Sequence, residues 1–521
     1  MAISTGLGFS RIPSLPLRSP LLPYFFQVRL GYAAAIEAFD DTDTEKVLDN
    51  VSSGDVYGKA PEWKKIKSKD LGISTSKISR PTKAVLNGLR RRGFEVYLVG
   101  GCVRDLILKR IPKDFDIITT AELREVMRTF SRCEMIGRRF PICHVHIGDT
   151  IVEVSSFSTR ATKFGRVLSL DPEKPAGCDE KDYLRWRNCL QRDFTINGLM
   201  FDPYAKLVYD YTNGVNDIRK AKVRTIKPAN LSFTEDCARI LRAVRIAARL
   251  GFGISKETAL SVKTLSGSVL RLDRGRLLME VNYMMAYGSA EASLRLLWKI
   301  GLLDILLPIQ AAFFVRSGFR RRDKRHNMLL SLFSNLDKLL APDRPCHDSL
   351  WFSILAFHEA LSQQPRDPLV AAVFSIAVHN GGDLSEALSV ARRINKVHDT
   401  SFHELLESPQ YFDSRFIFDE VMSLAASVRT ALAHMTDEYF VSQAMAKYPK
   451  APKSDLVFIP QLLYVRACKI FDCVKGGREK WFVPKNGSKI DYELLSMGSL
   501  REVRHVFARV VFDTIYPINN N

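Results

Sequence analysis

No two of the nine cysteines stand as Cys-x-x-Cys, and their scatter along 521 residues argues against both a disulfide framework and a zinc site. Cys102, Cys143 and Cys237 lie inside apolar or motif segments, so buried, reduced thiols are expected. No uninterrupted apolar run is long enough to cross a bilayer, which leads to the expectation of a soluble protein without a membrane partner. No segment repeats at a fixed period. Acid is missing from the first 36 residues, which carry Arg11, Arg18, Arg29 and several serines. That is the composition of an organellar transit peptide, mitochondrial or chloroplast, or of a plain basic tail.

What the chain has in excess is positive charge: 76 Lys and Arg against 57 Asp and Glu, 76 − 57 = +19. Such a surplus suits a polyanionic partner such as a nucleic acid, although solubility or a membrane surface would also account for it. The length calls for two to four domains. Residues 37–79 are polar and read as a linker. From residue 80 to 229 the pattern is mixed: a helix-like "TKAVLNGLRRRG" precedes strand-like "FEVYLVG", "DIITTA", "HVHIGDTIVEVSSF" and "LMFDPYAKLVYDY". Beyond residue 230 a helical period takes over. Residues 230–310 form an expected neck and 311–521 a helical body and tail, with Gly251, Gly301, Gly381 and Gly382 as helix stops. The expected class is therefore α+β, a small mixed α/β head followed by an all-helical neck, body and tail.

The chemistry concentrates in "YLVGGCVRDLILKRIPKDFDIITTA". Gly100 and Gly101 let the chain turn sharply at a strand end and bring backbone amides close to a phosphate. Arg104, on the helix that follows, can reach the same phosphate as a forked donor. Asp114 and Asp116 stand two apart, so on a strand they share a face, and two adjacent carboxylates suit a hard divalent cation such as Mg2+. A solvated acidic turn is the plainer reading of the same residues. Glu153, a lone charge in "TIVEVSSF", is either a third metal-holding acid or the solvent-facing residue of a half-buried strand. His144 and His146 have no further ligand nearby and are expected to be ordinary strand residues.

Together with "QRDFTINGL" and "EDCARILRAVRIAARLGF", this stretch resembles the class II tRNA nucleotidyltransferase and bacterial-type poly(A) polymerase family of the polymerase-β superfamily. The resemblance covers roughly residues 83–308. It implies an enzyme that adds nucleotides without a template to an RNA 3′ end, with Mg2+ or Mn2+ as cofactor and ATP, or alternatively CTP, as substrate. By matching positions, Gly101 and Arg104 would touch the triphosphate, and Asp114 and Asp116 would hold the metals. Arg192, Asp193 and Asn197 would contact the ribose and triphosphate and support catalysis. Asp236, Arg239, Arg242 and Arg245 would read the base; their spacing of three puts the first three along one helical face, where ion pairs on a solvated helix are the alternative. The chain departs from the family pattern at Lys109, where a glycine is usual, at Gln191, and at Arg187 and Asn188.

"MIGRRFPICHVHIG", residues 135–148, resembles the poly(A) polymerase branch, so AMP addition from ATP is favoured over the alternative of CCA addition to tRNA. Arg138 and Arg139 would then hold RNA phosphates or simply cap the head's surface. Arg320, Arg321 and Arg322, in "VRSGFRRRDKRH" with Phe319 available for stacking, are the second candidate RNA contact, against a solvated charged face. Arg276 and Glu280, four apart, are expected to form a structural pair. A rival from another class is a non-catalytic RNA-binding protein that keeps the fold.

Overall fold

A computed structural model describes residues 63–137, 140–159, 162–163, 166–167, 172–175, 177–407, 413–447 and 459–517. The expected transit segment and most of the expected linker lie outside these residues. The chain divides into two compact units, residues 1–232 with 253–258, and residues 233–252 with 259–521. The neck and body expected to part near residue 310 therefore belong to one unit.

The first unit is built on a mixed sheet of eight strands: β1 (Lys64–Lys67), β2 (Val96–Val99), β3 (Asp116–Thr119), β4 (Cys133–Ile136), β5 (Ile142–Ile147), β6 (Thr150–Ser156), β7 (Met200–Asp202) and β8 (Leu207–Asp210). Their order is β1-β8-β7-β2-β3-β6-β5-β4. All neighbours are antiparallel except β3 and β6. The expected linker is corrected here, because residues 64–67 form an edge strand paired with β8. Lys65 Nζ secures that edge through an ion pair at 2.8 Å to Asp182.

Val96, Tyr97, Leu98 and Val99 are all buried, as a strand central to a sheet covered on both faces requires. Tyr97 and Val99 face a layer that includes Trp186, Cys189, Tyr209 and Tyr211. The sheet is accompanied by helices α1 (Arg80–Arg91), α2 (Gly101–Ile107), α3 (Leu123–Thr129) and α4 (Glu180–Cys189). Helix α1 starts where Ser79 accepts a hydrogen bond from the Thr82 amide and Pro81 sets the first turn. Helix α4 is fastened by Arg185, which donates to Asp182, Tyr211 and Tyr97 at 2.7–2.9 Å. Burial alone would raise the Asp182 pKa, but donors from Lys65, Tyr211 and Arg185 outweigh it and hold it at about 2.

The second unit is helical throughout its described residues apart from turns and isolated bridges. Its centre is the helix Asp348–Gln363, buried on nearly every side. Phe357 on that helix meets Phe374 at 5.7 Å and Phe507 at 5.6 Å, and Phe471 closes the cluster 5.2 Å from Phe507. Gly251, Gly301, Gly381 and Gly382 adopt positive φ at the helix ends where stops were expected. All nine cysteines are free, and Cys102, Cys143 and Cys237 are buried. No described helix is long and apolar enough to cross a membrane.

Candidate active site

Strand register explains why a carboxylate meets the glycine turn. Val99 pairs with Asp116, so Gly100, one residue further, leaves the sheet beside the Asp116 side chain. Gly100 takes φ 78° and ψ −141°, a region that residues with a Cβ avoid. A Cβ placed there would stand 2.8 Å from Arg192 Nη1 and 3.4 Å from Asp116 Oδ2. The space left by the missing side chain is thus bordered by one cation and one carboxylate.

Helix α2 follows at once, and Arg104 on it is held from two sides. Its Nε donates to Asp105 at 2.9 Å and its Nη1 to Asn197 Oδ1 at 2.7 Å. Asn197 in turn donates through Nδ2 to Asp193 Oδ1 at 3.0 Å, and the Phe194 amide donates to the same oxygen at 2.8 Å. Asp193 is only 7% exposed. Sequence reasoning gave it a catalytic part; the geometry makes it the anchor of a relay, Asp193 to Asn197 to Arg104, that fixes the guanidinium. Five donor N–H groups on arginine leave Arg104 capacity for an anion after these bonds. Arg192 adds a second cation, and its Nε is buried without a hydrogen-bond partner. An incoming phosphate or ribose oxygen would satisfy it.

Asp114 does not lie on the strand as expected. β3 begins at Asp116, and Asp114 is exposed in the loop before it. Phe115 is half-buried between them. Glu153 is 53% exposed and lies cross-strand from His144, whose Nε2 is 3.7 Å from its carboxylate. Because Ile117 pairs with Val154, the register carries Glu153 level with Asp116. Among the described residues no three His, Cys, Asp or Glu side chains converge into a cluster that could hold a metal. The donor set nonetheless fits Mg2+ or Mn2+, which are commonly bound by one or two carboxylates together with substrate phosphates. His146 faces Glu134 at 3.3 Å, so the two histidines are ordinary strand residues. The Cys102 thiol beneath the site is pushed up to about 12 by burial, with Asp116 adding to the effect.

The departures from the family pattern have visible consequences. Lys109 adopts φ 59°, the left-handed conformation that the usual glycine takes without cost and that costs another residue about 1 kcal/mol. Arg187 donates to the Phe157 carbonyl at 3.1 Å, and Asn188 Oδ1 is buried without a partner. Arg138 and Arg139 lie outside the described residues. Gly137 before them takes φ 86°, and a Cβ there would lie 2.6 Å from the Phe140 carbonyl oxygen.

In the second unit the expected continuous base-reading helix is broken. One helix ends at Glu235, and another, α5 (Ala238–Leu250), begins after Asp236, whose carboxylate accepts from the Ala238 amide at 3.1 Å. Arg239, Arg242 and Arg245 lie along α5. Arg239 pairs with Glu235 at 3.0 Å, and Arg245 pairs with the buried Glu280 at 2.9 Å. Glu280 also takes Arg276 at 3.0 Å, the expected structural pair. Arg245 thus belongs to a three-residue cluster around the buried Glu280 as well as to the row of arginines.

The run at residues 315–326 needs correction. Phe319 is buried against Phe314 at 4.9 Å and cannot stack on a base. Arg321 forks onto Asp304 at 2.6 and 3.2 Å and lies 3.7 Å over the Trp298 ring. Arg320 and Arg322 remain exposed.

The head-domain family described as poly A polymerase head domain matches residues 96–224. The family described as "Probable RNA and SrmB- binding site of polymerase A" matches residues 251–314. Poly(A) polymerase I of Escherichia coli is 31% identical over 342 residues, which span 64% of this chain and 69% of that protein. The chain belongs to this family of nucleotidyltransferases. Poly(A) polymerase I of Haemophilus influenzae is 31% identical over 287 residues, 53% of this chain and 61% of that protein, so the chain spans about three-fifths of that relative. A CCA-adding enzyme of Staphylococcus aureus is 31% identical over 211 residues, 40% of this chain and 51% of that protein. Among solved structures, the Bacillus stearothermophilus CCA-adding enzyme in complex with CTP shares 20% identity at a TM-score of 0.41, covering 77% of this chain and 94% of that one.

Proposed function

We propose that this chain adds AMP from ATP to RNA 3′ ends without a template, at the site formed by Asp114, Asp116, Arg104 and Arg192. The observation that carries the reading is the space at Gly100, bordered by Asp116 and by Arg192 with its unpartnered Nε. A triphosphate supplies the oxygens that such a border lacks. In the reaction the RNA 3′ oxygen forms a bond to the α phosphorus and the bond to pyrophosphate breaks. Divalent cations bound by Asp114 and Asp116, with Glu153 as the third candidate ligand, would supply activation of the hydroxyl and compensation of charge on pyrophosphate. Arg104, fixed by Asn197 and Asp105, and Arg192 orient the phosphates before reaction, which removes the cost of ordering them during it.

Adenylate is favoured over CCA addition because the match to poly(A) polymerase I extends over more of the chain than that to the CCA-adding enzyme. The "GRRF…HV" segment supports the same choice. Reading of the base by Asp236, Arg239 and Arg242 remains part of the proposal, and Asp236→Ala should change nucleotide preference if it is right. One assay separates the products. Given all four nucleotides and a tRNA lacking its end, a CCA-adding enzyme stops after three additions, whereas this chain should add a run of A. A product ending in CCA would overturn the adenylate reading, and RNA binding with no extension would favour a non-catalytic RNA-binding protein. The organellar reading of residues 1–36 is tested by whether they carry a fluorescent reporter into an organelle.

A further inference from the structure

Trp481 is 96% exposed, in a protein whose Trp186, Trp298 and Trp351 are all buried. Single exposed apolar residues are normal, but an indole left wholly in water on a fixed segment forgoes the large stabilisation its burial would bring. The segment is fixed on both sides of it. Glu479, two residues before, takes a fork of 2.9 Å bonds from Arg504, which is fully buried and also donates to the carbonyls of Lys469 and Ile470. The Glu479 amide donates to the Gly381 carbonyl at 2.8 Å. Phe482, one residue after, lies against Gly381 so closely that a Cβ there would stand 2.6 Å from its ring, and the Arg504 guanidinium covers that ring at 4.6 Å. Gly381 takes φ 81°, so position 381 is doubly reserved for glycine.

The surroundings are cationic. Residues 475–489 contain Lys475, Arg478, Lys480, Lys485 and Lys489 against Glu479 alone. Glu479 is neutralised by Arg504, and Lys485 is committed to Glu502. Lys475, Lys480 and Lys489 are exposed, and Arg478 is 77% exposed beside Asp383. An open aromatic ring on a fastened segment, flanked by exposed cations, is the arrangement that holds single-stranded nucleic acid: the ring stacks on a base while the cations follow the phosphates.

We infer that Trp481 is a stacking platform for single-stranded RNA, a contact separate from the nucleotide site and from residues 320–322. The inference rests on the proposed RNA substrate, and its test reads binding in the absence of ATP. The full chain is titrated with an unstructured oligoadenylate, following tryptophan fluorescence and the polarisation of labelled RNA. RNA should quench the emission that Trp481→Phe removes. Trp481→Ala should weaken binding about 5- to 150-fold, with Trp481→Phe losing less. Duplex RNA should not quench. Equal affinity of Trp481→Ala and the parent chain would overturn the inference while leaving the transferase reading intact. So would a Trp481 emission that responds to anionic lipid vesicles and not to RNA. A failure of the transferase reading would show separately, as an absence of RNA extension by the parent chain.

Discussion

Replacing Gly100 by alanine tests the site at its tightest point. A Cβ 2.8 Å from Arg192 Nη1 overlaps an ordinary contact of about 3.5 Å by roughly 0.7 Å, so the guanidinium must swing aside. A displacement of about 1 Å in a positioning group can cost about 100-fold in rate. The backbone adds its own penalty, about 1–3 kcal/mol for a side chain at this φ and ψ, which acts on stability rather than chemistry. Gly93→Ala separates the two effects. Gly93 also has positive φ, 88°, yet nothing lies within 4 Å of its Cβ position. Both variants should lose stability by denaturation monitored with circular dichroism. Only Gly100→Ala should lose about 100-fold in kcat/KM for ATP in an RNA extension assay. Equal kinetic losses in the two variants, or full activity in Gly100→Ala, would refute the crowding argument.

Asn197→Ala removes the acceptor that fixes Arg104, a charge-assisted bond of about 1.5–3 kcal/mol, so kcat/KM for ATP should fall about 10- to 150-fold; unchanged steady-state kinetics would remove the relay from the account. Glu280→Ala leaves Arg245 and Arg276 without their shared buried partner and should destabilise the helical unit by about 3 kcal/mol in chemical denaturation. His505, near His379, Lys485, Glu502 and Arg509, has its pKa pushed down to about 4, chiefly by burial. The unfolded histidine, near 6.5, accepts a proton that the folded one declines. Stability should therefore be complete above about pH 6.5 and decline as pH falls toward 4, and His505→Gln should flatten that decline; parallel profiles would contradict it.

Features carried by local pattern were legible in the sequence. The strand before Gly100, the other strand-like segments of the head, the glycine stops and the Arg276–Glu280 pair all follow from local patterns of apolar alternation, turn residues and helical spacing. What escaped depends on contacts across the chain. β1 is "KKIK", too short and polar to read as a strand until Leu207–Asp210 lies beside it. Helical period runs unbroken through Asp236, and only the capping bond to Ala238 shows the interruption. Arg245 meets Glu280 across 35 positions, which no helical spacing announces. In the basic run, Trp298 and Asp304 hold Arg321, and Phe319 packs inward. The spacing of Asp114 and Asp116 predicts one strand face, but β3 begins at Asp116 and Asp114 stays in the loop before it.

The most direct measurement is extension of a short RNA by the purified full chain with ATP, with and without Mg2+, beside the Asp114→Ala/Asp116→Ala double variant. A lengthened RNA is expected from the parent chain with Mg2+ only, and none from the variant, whose circular dichroism stays that of the folded protein. Extension by the double variant at the parent rate would contradict it, as would an inert parent chain that still binds RNA.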